Sequence, residues 1–191
     1  TIICMIKKEK FLIIGNWKAN PDSLRLAKSI LTGIKKASLK SKNVETVICP
    51  PVIYLESLKS LAKPVLLGSQ DFFYEPNGAF TGMVGYESLV DTKIRYAIIG
   101  HSEVRSRGER EEIINKKIKA ALSNNVTPIL CVGETVRNSD MNYLSEIRNQ
   151  LQENLKDIPK SKIANIVVAY EPVWAIGTGA SRSASPEEIN E

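Results

Sequence analysis

Six short apolar runs alternate with longer segments of helical periodicity along this chain, and this alternation restricts the folds that it can adopt. The runs occupy residues 11–14, 44–49, 65–67, 96–99, 128–132 and 166–169. Continuous apolar runs are typical of strands buried on both faces, and strands that alternate with helices form parallel βα units. The pattern therefore predicts an α/β fold and leaves two architectures open, an open doubly wound sheet and a (β/α) barrel.

Two further segments carry local signals. Asn20-Pro21 predicts a helix start, with Asn20 as the N-cap and Pro21 at the first helical position. A charged helix is expected from about residue 109 to residue 123. Residues 70–93 are rich in glycine, aromatic and turn-forming residues, and they predict a long loop that packs on something.

The length and the net charge of the chain limit the number of domains and the classes of partner that it can have. The 191 residues suffice for one domain over 1–191, with residues 1–10 as an N-terminal extension that lacks the pattern of a signal peptide. The net charge of +5 is mild and favours an anionic substrate, whereas the absence of a long basic run argues against nucleic acid as a partner. No apolar run approaches the ~18–20 residues of a membrane span, so no membrane partner is expected.

The cysteines point to a reducing compartment. The chain has three cysteines, Cys4, Cys49 and Cys131, and no CxxC motif. His101 is the one histidine that could bind a metal together with them. Reduced thiols in the cytoplasm are therefore expected, rather than a disulfide framework or a metal site.

Polar side chains follow the predicted strands at their carboxyl ends, where parallel α/β folds carry their functional residues. They are Asn16, Lys18, His101, Ser102, Glu103, Glu134 and Glu171. A carboxylate, an imidazole, an ammonium group and an amide suit proton transfer beside a carbonyl, in which one group removes the proton and others stabilise the oxyanion.

Each of these residues also has a structural interpretation. Lys18 alone is more often a solvated lysine, Glu171 before a proline can be a polar strand end, and a single histidine is often structural. Glu103 and Glu134 suit acceptors for Lys or Arg partners, and for Glu134 this interpretation is preferred. The joint placement of the set on successive strand ends favours a functional site.

Five motifs, in order, resemble those of the triosephosphate isomerase family, and the resemblance spans residues 11–191. The motifs are Gly15-Asn16-Trp17-Lys18, Gly78-Ala-Phe-Thr-Gly82, Ile99-Gly-His-Ser-Glu103, Leu130-Cys-Val-Gly-Glu-Thr135 and Ala169-Tyr-Glu-Pro-Val-Trp-Ala-Ile-Gly-Thr-Gly179. The resemblance implies an isomerase that interconverts dihydroxyacetone phosphate and glyceraldehyde 3-phosphate through an enediolate. It implies no cofactor and no metal.

The resemblance also implies residue roles. Glu171 would be the catalytic base, His101 the neutral electrophile, and Lys18 a catalytic and substrate-binding cation. Asn16 would place the substrate oxygen. The remaining assignments are Ser102 and Glu103 as supporting residues, 172–184 as the active-site lid, and Gly177 in the lid as a substrate-binding residue.

Residues 70–93 would be the family's dimer arm. Phe80 and Thr81 would belong to the arm, and Thr81 would reach the partner's site near Asn16. The alternative is a surface loop that packs on itself.

The chain departs from the family pattern in four places. Met83 and Val104 stand where the family usually has an acid and an arginine, and residues 180–185 are about two longer than the usual lid exit. A complete TIM barrel needs eight βα units and ~250 residues, so an incomplete barrel of about six units is expected, without strands seven and eight and their phosphate loops.

An incomplete barrel predicts two exposed sheet edges and an uncovered interior, which another chain would cover in a homodimer or higher oligomer. Activity is then expected to be impaired or dependent on assembly. One alternative is a catalytically inactive, self-associating barrel fragment. A nucleotide-binding open sheet is less favoured, because no phosphate-cradling glycine loop opens a helix.

Overall fold

The computed structural model describes residues 2–7, 10–137, 142–176, 180 and 182–190, with the backbone alone for residues 2–7, 10, 142, 189 and 190. The strands are β1 (Ile2–Lys7), β2 (Lys10–Asn16), β3 (Val44–Cys49), β4 (Leu66–Ser69), β5 (Tyr96–Ile99), β6 (Thr127–Val132) and β7 (Val167–Tyr170). The α-helices are α1 (Leu24–Ser38), α2 (Val52–Ala62), α3 (Tyr86–Asp91), α4 (Ser102–Arg105), α5 (Glu111–Ser123), α6 (Asn142–Asn154), α7 (Lys160–Ile163) and α8 (Pro186–Asn190). A 3₁₀ helix spans Val173–Ala175.

The strands pair in chain order from β1 to β7, and β2 to β7 are all parallel within the described ranges. Helices return the chain between successive parallel strands. The prediction of an incomplete TIM barrel with about six βα units is therefore confirmed. At one side of the parallel sheet Asn16 of β2 pairs with Cys49 of β3, and at the other side Val132 of β6 pairs with Tyr170 of β7.

The N-terminal segment forms a strand that the sequence analysis did not predict. β1 runs antiparallel to β2, with Ile2 beside Ile14 and Met5 beside Phe11. β1 also approaches β7, with Cα atoms within 8 Å. The expectation of two exposed sheet edges is thus wrong for β2, because the backbone groups on its outer edge pair with β1.

The core has two layers. One lies between the sheet and the helices, and the other fills the concave face of the sheet. The inner layer consists of Leu12, Ile14, Val47, Cys49, Ile98, Ile129, Cys131 and Ala169, each at most 1% exposed. The expectation of an uncovered interior is therefore wrong. On β7, in contrast, Val168 and Tyr170 are 45% and 36% exposed.

Two local predictions also need correction. Helix α1 begins at Leu24, because the Ser23 hydroxyl accepts a hydrogen bond from the Leu26 N–H at 3.4 Å, so the cap is Ser23 and not Asn20. The charged helix begins at Glu111, which leaves Glu109 in the connection after α4.

The predicted loop over residues 70–93 is not wholly irregular, since it contains helix α3. Its aromatic rings pack on one another: the Phe73 centroid lies 4.5 Å from that of Tyr74 and 4.6 Å from that of Phe80. The Phe73 N–H donates to the Val84 carbonyl at 2.7 Å, which closes the base of the loop. Among the residues that the structure describes, no helix has both the length and the hydropathy of a membrane span.

Candidate active site

Three strands bring the predicted site residues to one edge of the sheet. Asn16 ends β2 and Lys18 follows it, His101 follows β5, and Glu171 follows β7. Because parallel strands point their carboxyl ends to the same side, residues separated by up to 155 positions converge there. Contacts connect Lys18 with Glu103, and His101 with Glu171.

His101 is held in one orientation by the helix that it begins. Its Nδ1 accepts a hydrogen bond from the Glu103 N–H at 3.1 Å, which makes it the N-cap of α4. A ring nitrogen that accepts carries no proton, so this contact assigns a neutral imidazole with its proton on Nε2. The side chain of His101 is 7% exposed. The turn before it needs Gly100, whose φ of +70° is strained for other residues.

Glu171 faces His101 from the end of β7. Its Oε1 lies 3.3 Å from His101 Nε2, and its Oε2 accepts from the Ser102 N–H at 3.4 Å. The backbone is anchored separately, by the Glu171 N–H donating to Val132 at 2.7 Å. A Cβ on Gly133 would lie 1.9 Å from the Glu171 carbonyl oxygen, so only glycine permits this approach.

Lys18 occupies the left-handed region, with φ of +54°. Its N–H donates to Asn16 Oδ1 at 2.9 Å, and its carbonyl accepts from Gln70 Nε2 at 2.8 Å. Gln70 Nε2 also donates to the Cys49 carbonyl at 2.8 Å, so it joins the Lys18 turn to the end of β3. Gln70 was not among the predicted site residues, although its position directly after β4 was an available signal.

The Lys18 ammonium group is paired with Glu103. Nζ lies 2.5 Å from Glu103 Oε1, and the two side chains are 39% and 49% exposed. The hydrogen bond from Lys18 is the largest cause that lowers the pKa of the Glu103 carboxyl below its usual value. The carboxylate therefore stays charged and fixes the direction of the Lys18 side chain.

Glu134 is fully buried beside the segment that follows Glu171. Its Oε1 accepts from the Tyr170 hydroxyl at 2.9 Å and from Trp174 Nε1 at 2.8 Å, with Arg137 at 3.9 Å. The sequence interpretation expected Lys or Arg partners, and the structure adds a phenol and an indole. Burial, followed by the hydrogen bond to Glu134, raises the pKa of Tyr170.

Arg105 is a second residue that the sequence analysis did not single out. Its Nε donates to the Gly100 carbonyl at 2.6 Å, and one terminal nitrogen donates to the Cys131 carbonyl at 3.2 Å. Its other terminal nitrogen pairs with Glu111 at 2.5 Å. Arg105 thereby ties the end of β5, where His101 begins, to β6.

Some predicted residues lie apart from this group or outside the described residues. Gly177 falls outside them, so the structure describes no position for it. Phe80 and Thr81 lie exposed in the loop over 70–93. Among the described residues, no hydrogen bond, ion pair or ring contact joins either of them to Lys18, His101 or Glu171.

Glu171 and His101 bring a carboxylate and a neutral N–H donor into contact, and Lys18 adds an ammonium group at the same end of the sheet. This set is able to take a proton from carbon while it stabilises the charge that develops on an adjacent oxygen. Across the described part of the chain, no cluster of three or more His, Cys, Asp and Glu residues is arranged to hold a metal ion.

Comparisons with known proteins match one family over most of the chain. The family model described as triosephosphate isomerase matches residues 11–191. A triosephosphate isomerase of Rhodopirellula baltica is 43% identical over 183 residues, which cover 94% of this chain and 72% of the relative. One of Endomicrobium trichonymphae is 41% identical over 95% of this chain and 73% of the relative, and one of Coprinopsis cinerea is 40% identical over 88% and 68%. The chain therefore belongs to the triosephosphate isomerase family of enzymes.

Proposed function

We propose that this chain interconverts dihydroxyacetone phosphate and glyceraldehyde 3-phosphate by proton transfer through an enediolate. The observation that carries the proposal is the approach of the Glu171 carboxylate to within 3.3 Å of Nε2 of a neutral His101. The names of the relatives and the family match support the same reaction. The reaction moves protons between carbon and oxygen and needs no oxidant or reductant.

In the proposed mechanism Glu171 removes a proton from the carbon beside the carbonyl. The His101 Nε2–H hydrogen-bonds to the carbonyl oxygen and stabilises the enediolate that forms. His101 passes a proton to the former carbonyl oxygen and takes one from the hydroxyl on the adjacent carbon, which moves the negative charge to that second oxygen. The protonated Glu171 then gives its proton to the former carbonyl carbon, and the second oxygen becomes the new carbonyl oxygen. Lys18 supplies positive charge to the phosphorylated substrate and to the enediolate.

The resting geometry leaves no room for a substrate between base and imidazole, because 3.3 Å is a direct contact. The Glu171 carboxylate must therefore turn away from His101 and Ser102 when substrate binds, while its backbone stays anchored to β6. Asn16 is proposed to place a substrate oxygen, and Ser102 and Glu103 to support the base and Lys18. The proposed substrate contact of Gly177 and the lid over 172–184 rest on the family resemblance.

We also propose that two copies of the chain assemble through the loop over 70–93. Phe80 and Met83 are 42% and 61% exposed there, and Thr81 is exposed beside them. A groove of about 590 Å³ lies under the loop and includes Met83 and Val104 in its lining. Sedimentation of the purified chain tests this assembly, and a stable monomer at micromolar concentration would contradict it.

The proposed reaction belongs to glycolysis and gluconeogenesis, and a cytoplasmic location fits it. Cys49 and Cys131 are free and buried, and burial raises the pKa of the Cys49 thiol to about 12. Such thiols resist oxidation and do not depend on an oxidising compartment.

A coupled assay with purified protein tests the reaction. Turnover that falls by about 10²–10⁴-fold in Glu171→Ala supports the assignment. Glu112→Ala, a change at an exposed glutamate on α5, is the matched control and should leave turnover unchanged. Equal activity in wild type and Glu171→Ala would remove Glu171 from the mechanism.

The same assay distinguishes an active isomerase from the alternative, a catalytically inactive, self-associating fragment. Side-by-side rates for this chain and for the R. baltica relative measure whether activity is impaired. Saturable binding of 2-phosphoglycolate, whose carboxylate resembles an enediolate, together with its loss in Lys18→Ala, would count against an inactive fragment.

A further inference from the structure

Arg182 lies along the chain between Trp174 and helix α8, and it contacts both. Its guanidinium carbon lies 4.5 Å from the centroid of the Trp174 ring. Its terminal nitrogens form two hydrogen bonds to the Glu188 carboxylate, at 2.7 and 2.5 Å. Stacking on an aromatic face and a two-pronged carboxylate contact are both geometries that arginine provides and lysine does not.

Glu188 is a fixed anchor for this contact. Its Oε2 accepts from the Ser185 N–H at 2.8 Å, while its own N–H donates to Ser185 Oγ at 3.3 Å, which forms a capping box at the start of α8. Its carbonyl accepts from Arg137 at 3.1 Å, and Arg137 also reaches the Tyr170 hydroxyl at 3.3 Å. The anchor is therefore connected to the end of β7.

Trp174 is the other end of the contact, and it stands three residues after Glu171. Its indole N–H is bound to the fully buried Glu134 at 2.8 Å. Arg182 covers one face of the same ring. The guanidinium carbon of Arg137 also lies over this ring, 5.9 Å from its centroid, so Arg182 is a closer restraint than Arg137 on the tilt of the indole about its N–H.

We propose that Arg182 is a positioning residue that acts through Trp174 on the backbone segment that carries Glu171. The kinetic part rests on the proposed isomerase function. The Glu171 carboxylate has to rotate away from His101 for substrate to enter. Its charge then reaches the correct position only if the backbone of Glu171 stays fixed. Arg182, which is not itself a catalytic residue, contributes to fixing that backbone.

The first test uses ligand-free protein and does not depend on activity. Trp174 is the sole tryptophan in a Trp17→Phe background, since the chain has two. Acrylamide quenching of its fluorescence should rise by about twofold in Arg182→Ala, because the ring loses a guanidinium group that lies closer to it than that of Arg137. Arg25→Ala, at an exposed arginine of α1, is the matched control and should not change the quenching.

Two results would contradict the proposed restraint of Trp174 by Arg182. One is equal quenching in Arg182→Ala and Arg25→Ala. The other is quenching in Arg182→Lys that equals the wild-type value, because lysine keeps the positive charge but makes neither the two parallel hydrogen bonds to Glu188 nor the stacking contact with Trp174. Incomplete restoration by lysine supports the proposal.

The second test is kinetic. In Arg182→Ala we expect kcat to fall by about 3- to 10-fold with KM changed by less than about twofold, since an aromatic–cation contact and an exposed ion pair are each of modest strength. An unchanged kcat in an active enzyme overturns the positioning role, even where quenching rises. No turnover in the wild type counts against the proposed function, and the quenching comparison then decides alone whether Arg182 holds Trp174.

Discussion

His101 and Glu171 face each other across 3.3 Å, from Nε2 of the imidazole to Oε1 of the carboxylate. The opposite ring nitrogen of His101 accepts from the Glu103 N–H, so the proton of the ring points at the base. One hydrogen bond to the backbone thus sets which proton the site presents to a substrate oxygen.

Replacement of His101 by glutamine should lower kcat by about 10²–10³-fold, because the aligned N–H donor to the developing oxyanion is lost. The measurement is the coupled assay, with thermal unfolding by circular dichroism to account for the lost N-cap of α4. A variant that keeps more than half of the wild-type kcat would exclude His101 as the electrophile.

Glu103→Gln should reduce the amount by which the free energy of unfolding falls at acid pH. The pKa of Glu103 is lowered in the folded protein, chiefly by the Lys18 hydrogen bond. The ion pair therefore stabilises the fold above the unfolded pKa of about 4.3, and this contribution disappears as the pH falls through the lower folded pKa. Because both side chains are more than a third exposed, the loss should be below about 1 kcal/mol.

Urea unfolding between about pH 5 and pH 3 provides this comparison, because the contribution is lost in that window. The wild type should lose more unfolding free energy than Glu103→Gln over the interval. Parallel profiles would show that the pair contributes nothing to stability.

Glu134→Leu should destabilise the fold by about 2–4 kcal/mol, since it leaves the Tyr170 hydroxyl and the Trp174 N–H without their acceptor. Glu134→Gln keeps a carbonyl oxygen in the same place and should cost clearly less. Urea denaturation at pH 7 measures both. Equal losses in the two variants would mean that the charge, rather than the hydrogen-bond acceptor, is what matters.

Lys117→Met should be strongly destabilising. Lys117 is 4% exposed and pairs with Asp71 at 2.5 Å and with Glu109. Removal of the cation leaves buried carboxylate charge without compensation, a loss of about 3–5 kcal/mol. Lys36→Met, at an exposed lysine of α1, is the control and should stay within about 0.5 kcal/mol.

The Lys117 effect should also depend on pH. Burial is the largest cause that raises the pKa of Glu109, and Lys117 opposes it. Without the cation that pKa rises further, and a raised pKa gives stability that is present at low pH and lost as the pH rises through it. The variant should therefore recover part of its stability at pH 5. A loss that is constant between pH 5 and pH 7 would contradict this.

The parallel strands were predictable because each is a continuous apolar run, and the runs at 44–49 and 96–99 match β3 and β5 in full. The convergence of Lys18, His101 and Glu171 followed from their places at strand ends. The start of α1 was mispredicted because Asn20 and Ser23 are both good caps in isolation. Only the observed bond from Leu26 to Ser23 distinguishes them.

Other features depend on partners distant in the chain. Gln70 binds carbonyls 52 and 21 residues away, and Lys117 pairs with a carboxylate 46 residues away. No periodicity encodes such pairs, so a glutamine after a strand or a lysine on a helix looks ordinary until the fold brings its partner near.

The sequence by itself determined the family, the parallel βα order and the identity of the residues at the strand ends, because short-range patterns and motifs are written along the chain. Tertiary structure alone decided which nitrogen of His101 carries the proton, which side chain fixes Lys18, and how β1 covers the edge of β2. It also decided that Arg182 reaches Trp174. These are contacts between residues remote from one another or in geometries that no local pattern specifies, and their energies exist only once the backbone has placed both partners.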